Sequence, residues 1–160
     1  MKTILAPIDF SGVSDAVVSE ATALARALHA RVVLFAAVQP PVVMAEYGPI
    51  LEQIAEINAA GEKHAMRQLE KLEAQLEAER IPHESSHALG PPIGQIIDQA
   101  EKCDADYIVM GSHGHTALYD LLVGSTTHGV LMRARCPVVI VPATKEKKEK
   151  ERKARAVALA

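Results

Sequence analysis

The amino-acid sequence predicts a doubly wound α/β domain: a five-stranded parallel sheet with helices on both faces. Three observations carry that prediction. Four short apolar runs rich in β-branched residues punctuate the chain, at Thr3–Ile8, Arg31–Val38, Tyr107–Met110 and Pro137–Val141. Each has the length of a strand buried on both faces. Helical patterns fill the intervals, so the order reads βαβαβαβαβ, which implies right-handed crossovers above a parallel sheet. The 160 residues, 49% hydrophobic and 23% charged, match one globular domain with a packed core.

The elements follow in order. Behind the first strand, Ser11 or Ser14 can cap a helix to about Leu28, with Val17, Ala21, Leu24 and Leu28 along one side. The second strand leads into a loop, Gln39–Gly48, flanked and interrupted by Pro40, Pro41 and Pro49. Ile50, Ile54, Ile57, Gly61, Ala65, Leu69, Leu72 and Leu76 then step by three or four, predicting a long amphipathic helix to near Arg80. Pro82–Ala88 alternates imperfectly and is polar, which suits a strand at the sheet edge. Pro91-Pro92 opens a shorter helix carrying Ile93, Ile96, Ile97 and Ala100, and Gly124-Ser125 opens another that ends before Cys136-Pro137.

Composition excludes several function classes. Aromatics are 3% with no Trp, a poor supply of stacking platforms for single-stranded nucleic acid. The net charge of −3 argues against a basic nucleic-acid-binding face. Cys103 and Cys136 make neither a disulfide framework nor a familiar zinc spacing. Pro7 and Asp9 interrupt the place where a signal peptide needs its apolar stretch, and no apolar run approaches the roughly 18 residues of a membrane span. The chain therefore reads as cytoplasmic, with reduced thiols and no membrane partner. Residues 145–155 hold seven Lys/Arg against three Glu, and Glu146/Lys150, Glu149/Lys153 and Glu151/Arg155 stand at helical i, i+4 spacing. This reads as a solvated, salt-bridged tail over 143–160 rather than a nucleic-acid or lipid contact, because mixed charge weakens attraction to phosphate.

The stretch that carries chemistry is Val109-Met110-Gly111-Ser112-His113-Gly114-His115, leading to Val123-Gly124-Ser125-Thr126-Thr127. A buried strand ends, two glycines three apart follow, and nine residues later a third glycine opens a helix with three hydroxyl side chains. Glycines let backbone N–H groups approach an anion, and a helix start adds unpaired donors. Ser125, Thr126 and Thr127 can add hydroxyl donors. The pattern describes a phosphate cradle; the plainer alternative is a turn with a Ser cap. It is neither the GxxxxGK[ST] loop nor the GxGxxG of dinucleotide binders. Asp9, in Pro7-Ile8-Asp9-Phe10-Ser11, sits at the carboxyl end of the first strand, where open α/β sheets bind ligands. Its carboxylate can accept from a base amino group or ribose hydroxyls, or cap the following helix near Ser11.

Gly111-x2-Gly114-x9-Gly124-Ser125 resembles the nucleotide-binding signature of the universal stress protein family, specifically its ATP-binding group. Ile4-Leu5-Ala6-Pro7-Ile8-Asp9-Phe10-Ser11 and Cys136-Pro137-Val138-Val139-Ile140-Val141 resemble that family's first and last strands, so the likeness spans roughly 1–142. The resemblance implies a Rossmann-like, adenine nucleotide hydrolase-like fold with strand order 3-2-1-4-5. It implies that Pro7, Asp9 and the backbone near Val38 contact adenine, and that Met110, Gly111, His113 and Gly114 line the ribose and α-phosphate. Gly124, Ser125 and Thr126 would hold the β- and γ-phosphates of ATP, or of AMP or ADP, with Mg or Mn bridging them. The chain departs from the pattern at His115, where relatives often carry Arg, and at Tyr119 and Asp120, where they are often basic. A carboxylate facing the phosphates would repel them.

Other constellations carry less. His113, His115 and His128 are more simply loop and surface residues than a metal site. Ser112, His113 and Asp120 form no triad, since no strained nucleophile elbow is present. The expected activity is that of a nucleotide-dependent sensor or regulator in stress response, at most a slow ATPase, because no general base is aimed at a γ-phosphate water. The rivals are an ATP-dependent enzyme on the same fold and a scaffolding module with a vestigial site. The apolar strand Pro137–Val141, placed at a sheet edge, predicts a homodimer by antiparallel pairing with its copy, in agreement with the resemblance. A further protein partner is left unnamed by the sequence.

Overall fold

The computed structural model describes residues 1–40, 51–112 and 123–143. Nine elements alternate: β1 (Thr3–Pro7), α1 (Ser14–Leu28), β2 (Arg31–Val38), α2 (Leu51–Ala78), β3 (His83–Leu89), α3 (Pro92–Lys102), β4 (Tyr107–Gly111), α4 (Ser125–Leu131) and β5 (Val138–Val141). The five strands form one all-parallel sheet in the order β3-β2-β1-β4-β5, as expected. The predicted tail over 143–160 lies outside the described residues from residue 144 onward.

Strand alternation sends neighbouring side chains to opposite faces, and each face is buried by its own helices. Ile4, Ala6, Val32, Leu34, Ala36 and Val109 pack against Val17, Val18, Ala21 and Ala25 of α1 and Ala65, Leu69, Leu72 and Leu76 of α2. Leu5, Val33, Phe35, Ile108 and Met110 pack against Ile96 of α3 and Val130 of α4. The central strands are therefore apolar on both sides, which is why they read as unbroken runs. The connections leave β1 and β4 toward opposite faces, so these two neighbours bound the switch point of the sheet.

Two local expectations are corrected. Neither Ser11 nor Ser14 caps α1: Val13 holds the cap position with no side-chain bond to the helix, and Ser14 is its first residue. Asp9 takes over part of that task, its Oδ1 accepting the Ser11 N–H at 2.9 Å and the Ser14 hydroxyl at 3.5 Å. The apolar stripe of α2 is also shorter in effect than in sequence. Burial begins at Ala65, whereas Ile57 is 52% exposed. At the opposite edge of the sheet, the strand starts are tied by polar bonds. The Thr3 N–H donates to Asp106 Oδ2 at 2.8 Å, Arg31 Nε donates to Thr3 Oγ1 at 3.0 Å, and Arg31 pairs with Glu84 at 3.0 Å.

Candidate functional site

At the carboxyl ends of β1 and β4 the sheet opens into a cavity of about 540 Å³. Its position follows from topology, since chains departing to opposite faces leave the crevice above these strands uncovered. Of the residues singled out in the sequence, Pro7, Asp9, Met110, Gly111, Gly124, Ser125, Thr126 and Thr127 line it. His113 and Gly114 lie outside the described residues, as do His115, Tyr119 and Asp120.

The expectation at Val38 concerns the backbone near it, and its neighbours Ala37 and Gln39 line the cavity while the Val38 side chain does not. The Val38 carbonyl accepts the Gly90 N–H at 2.9 Å, and its side chain turns to the α2 face, close to where a Cβ on Gly61 would stand. The two-residue strand period explains the difference: Phe35, Ala37 and Gln39 face the cavity instead. Ile96 and Pro92 of α3, and Val13, Ser14 and Val17 around the start of α1, complete the walls that sequence reading did not assign. A stepping of two back from Gln39 is the signal that finds the strand residues; the helix residues had none.

The cavity has an apolar side and a polar side. Phe35, Ile96 and Met110, each at most 5% exposed, offer an apolar wall suited to a flat ring. Ser125 and Thr126 are among the cavity's polar lining residues. Among the described lining residues Asp9 alone is ionisable, and none is His, Cys or Lys.

The donors are not all available. The Gly124 N–H donates to the Ser112 carbonyl at 2.7 Å, and the Thr127 hydroxyl donates to the Gly111 carbonyl at 2.8 Å. Thr127 is therefore not a phosphate donor through its hydroxyl proton, contrary to the sequence reading. The first helical bond of α4 runs from the His128 N–H to the Gly124 carbonyl at 2.8 Å. The amides of Ser125, Thr126 and Thr127 precede it in the helix and have no intrahelical acceptor. Cys103 and Cys136 do not line the cavity. Burial pushes both thiols above their ordinary range, helped at Cys136 by the Asp106 carboxylate and opposed at Cys103 by Arg31.

Among the described residues, no helix is long and apolar enough to cross a membrane, and no group of three His, Cys, Asp or Glu could hold a metal ion.

Comparison with known proteins agrees with this architecture. The universal stress protein family pattern matches residues 1–142. A universal stress protein of Methanocaldococcus jannaschii is 33% identical over 150 residues, covering 92% of this chain and 85% of that one. The structure of a universal stress protein from Lactobacillus plantarum superposes with a TM-score of 0.78 at 25% identity, covering 88% and 97% of the two chains. The same fold is seen in a universal stress protein from Archaeoglobus fulgidus solved in complex with dAMP, with a TM-score of 0.61 at 22% identity and 88% and 97% coverage. It is seen again in a universal stress protein solved in complex with cAMP, with a TM-score of 0.60 at 21% identity and 88% and 95% coverage. In sequence as in fold, the chain belongs to the universal stress protein family.

Proposed function

We propose that this chain binds an adenine nucleotide in the cavity between β1 and β4 and acts as a nucleotide-responsive regulator. The observation that carries the reading is the cavity itself, which gathers Pro7, Asp9, Met110, Gly111, Gly124, Ser125 and Thr126 at the switch point of the sheet. In this reading the base rests against Phe35, Ile96 and Met110. Asp9 accepts from the base or the ribose, and Ser125 and Thr126 meet the phosphates. The two universal stress proteins of this fold solved in complex with cAMP and with dAMP support the ligand class.

The first choice of ligand is ATP with a divalent cation. The Ser125 and Thr126 hydroxyls are hard oxygen donors, which suit Mg or Mn. The ion would neutralise phosphate charge that the described walls leave unmatched. A second choice is AMP or ADP. The commitment of the Gly124 N–H and the Thr127 hydroxyl to carbonyls favours it, because fewer donors remain for a long phosphate chain. The partner we propose is a second copy, joined along β5, whose outer edge has no strand beside it among the described residues.

Native mass spectrometry of the purified protein, followed by calorimetric titration, tests the ligand. Co-purified adenine nucleotide, or saturable heat with AMP, ADP or ATP, supports the reading. Absence of bound nucleotide together with no heat from any of the three overturns it.

A further inference from the structure

We propose that Thr127 is a positioning residue for the phosphate end of the cavity. It acts by capping the Gly111 carbonyl oxygen with a hydroxyl proton, so that the oxygen's negative end is not left bare beside the ligand's charge. The proposal rests on the reading that the cavity takes an adenine nucleotide.

Thr127 is 3% exposed, and its hydroxyl donates to the Gly111 carbonyl at 2.8 Å, across a separation of 16 residues. Its neighbours Ser125 and Thr126 are more open. All three consecutive hydroxyl residues line the cavity, and the third, Thr127, also ties the first turn of α4 to the last residue of β4 through its hydroxyl. Backbone bonds run alongside, from the Gly124 N–H to the Ser112 carbonyl and from the Ser112 N–H to the Val141 carbonyl at 2.8 Å. Among the described residues, the Thr127 bond is the side-chain link between α4 and β4, so it can be removed without altering any backbone donor.

The physical effect follows from the chemistry of Gly111. Its carbonyl sits on the cavity rim and is an acceptor, as phosphate oxygens are. The Ser112 N–H of the same peptide donates to the Val141 carbonyl, so the peptide plane stays in place when the hydroxyl is lost. Without the Thr127 proton the oxygen is left unsatisfied beside the cavity, and its negative end repels an anionic ligand. With the Thr127 proton on it, the oxygen is satisfied. The hydroxyl therefore serves the charged part of the ligand and leaves the base and sugar untouched.

The test compares AMP with uncharged adenosine on the full chain, with wild type, Thr127→Val and Thr127→Ser titrated side by side. In Thr127→Val, AMP affinity falls about tenfold, the size expected when a buried carbonyl loses its partner, while adenosine affinity stays within about twofold. Thr127→Ser keeps both affinities within about twofold of wild type, since serine retains the donor. If the valine variant does not melt cooperatively, Thr127→Ala takes its place against the serine variant. Unchanged AMP binding without the hydroxyl overturns the proposal. So does an equal fall for adenosine and AMP, or failure of serine to preserve binding. A wild-type chain that binds neither ligand sinks the nucleotide reading itself.

Discussion

The Phe10 ring on the cavity wall meets the His64 imidazole of α2 edge-on, with ring centroids 6.2 Å apart and planes at 83°. The contact braces a costly backbone, because Phe10 has φ of 59°, a left-handed conformation rare for a bulky residue. The Asp9 carboxylate, accepting the Ser11 N–H, closes the turn around it. Phe10→Gly and Phe10→Ala lose the same ring but differ in backbone strain. The glycine variant is therefore expected to be the more stable by about 1 kcal/mol, reversing the usual order of these residues. Urea unfolding checks this, and an alanine variant at least as stable as the glycine one would mean that the turn carries no strain.

Gly129 of α4 faces Ile93 of α3 so closely that a Cβ there would stand 2.9 Å from Ile93 Cγ1 and nearer still to Cδ1. Alanine normally stabilises a helix over glycine, but overpacking costs about 1–3 kcal/mol and wins here. Gly129→Ala should lower the melting temperature, and adding Ile93→Val, which removes Cδ1, should recover part of the loss. A melting temperature that rises with Gly129→Ala alone would show that the helices separate freely.

Gly124→Val with Ser125→Ala should abolish ATP binding while the chain stays folded. A branched side chain at Gly124 would occupy the cavity wall, and one hydroxyl donor to a charged acceptor would be lost, worth about 1.5–3 kcal/mol. Calorimetry reads the affinity and circular dichroism the fold; undiminished affinity would place the nucleotide elsewhere.

Val139 lies mid-strand in β5, paired on one side with Val109 and half-buried in the single chain. If β5 joins two copies, Val139→Lys should give monomers in sedimentation while wild type runs as a dimer at micromolar concentration. A monomeric wild type would remove the interface.

The buried thiols give a pH signature. Burial raises the folded pKa of Cys103 and Cys136 above the unfolded value, so both stay neutral in the fold after the unfolded chain has begun to ionise. Their contribution is fully present below the ordinary thiol range, near about 8.5, and is lost as pH climbs through the folded values. The urea midpoint should thus fall from about pH 8 to 10, and fall less when both are changed to alanine. Identical slopes for the two proteins would assign the decline to other groups.

The fold was legible because β1, β2 and β4 are buried on both faces. A strand with apolar residues on every position, such as Val32–Ala36, leaves little ambiguity about its surroundings. The polar β3 was legible as an edge for the converse reason: only its inner neighbour, β2, pairs with it. The glycine and hydroxyl residues of the site were legible as types, but their bonding was not. The partner of Thr127 lies 16 residues away, and the acceptor of the Gly124 N–H lies 12 away, so nothing local announces either bond. Near Val38 the end of β2 was legible as part of the site, but not which side chains face it: strand alternation turns the Val38 side chain toward Gly61 and gives the cavity to Ala37 and Gln39.

The polar ties at the starts of the strands, Thr3 with Asp106 and Arg31 with Thr3 and Glu84, lie at the opposite rim of the sheet from the cavity. They hold the relative register of four strands from the far end, with no help from any residue that would touch a ligand. The molecule is thus anchored at one rim and open to variation at the other. Substitutions around Asp9, Gln39 or Ser125 can change what is held, and how tightly, without loosening the seam that keeps the strands aligned. Selection for a new ligand can work on one end of this sheet while the other end keeps the chain folded.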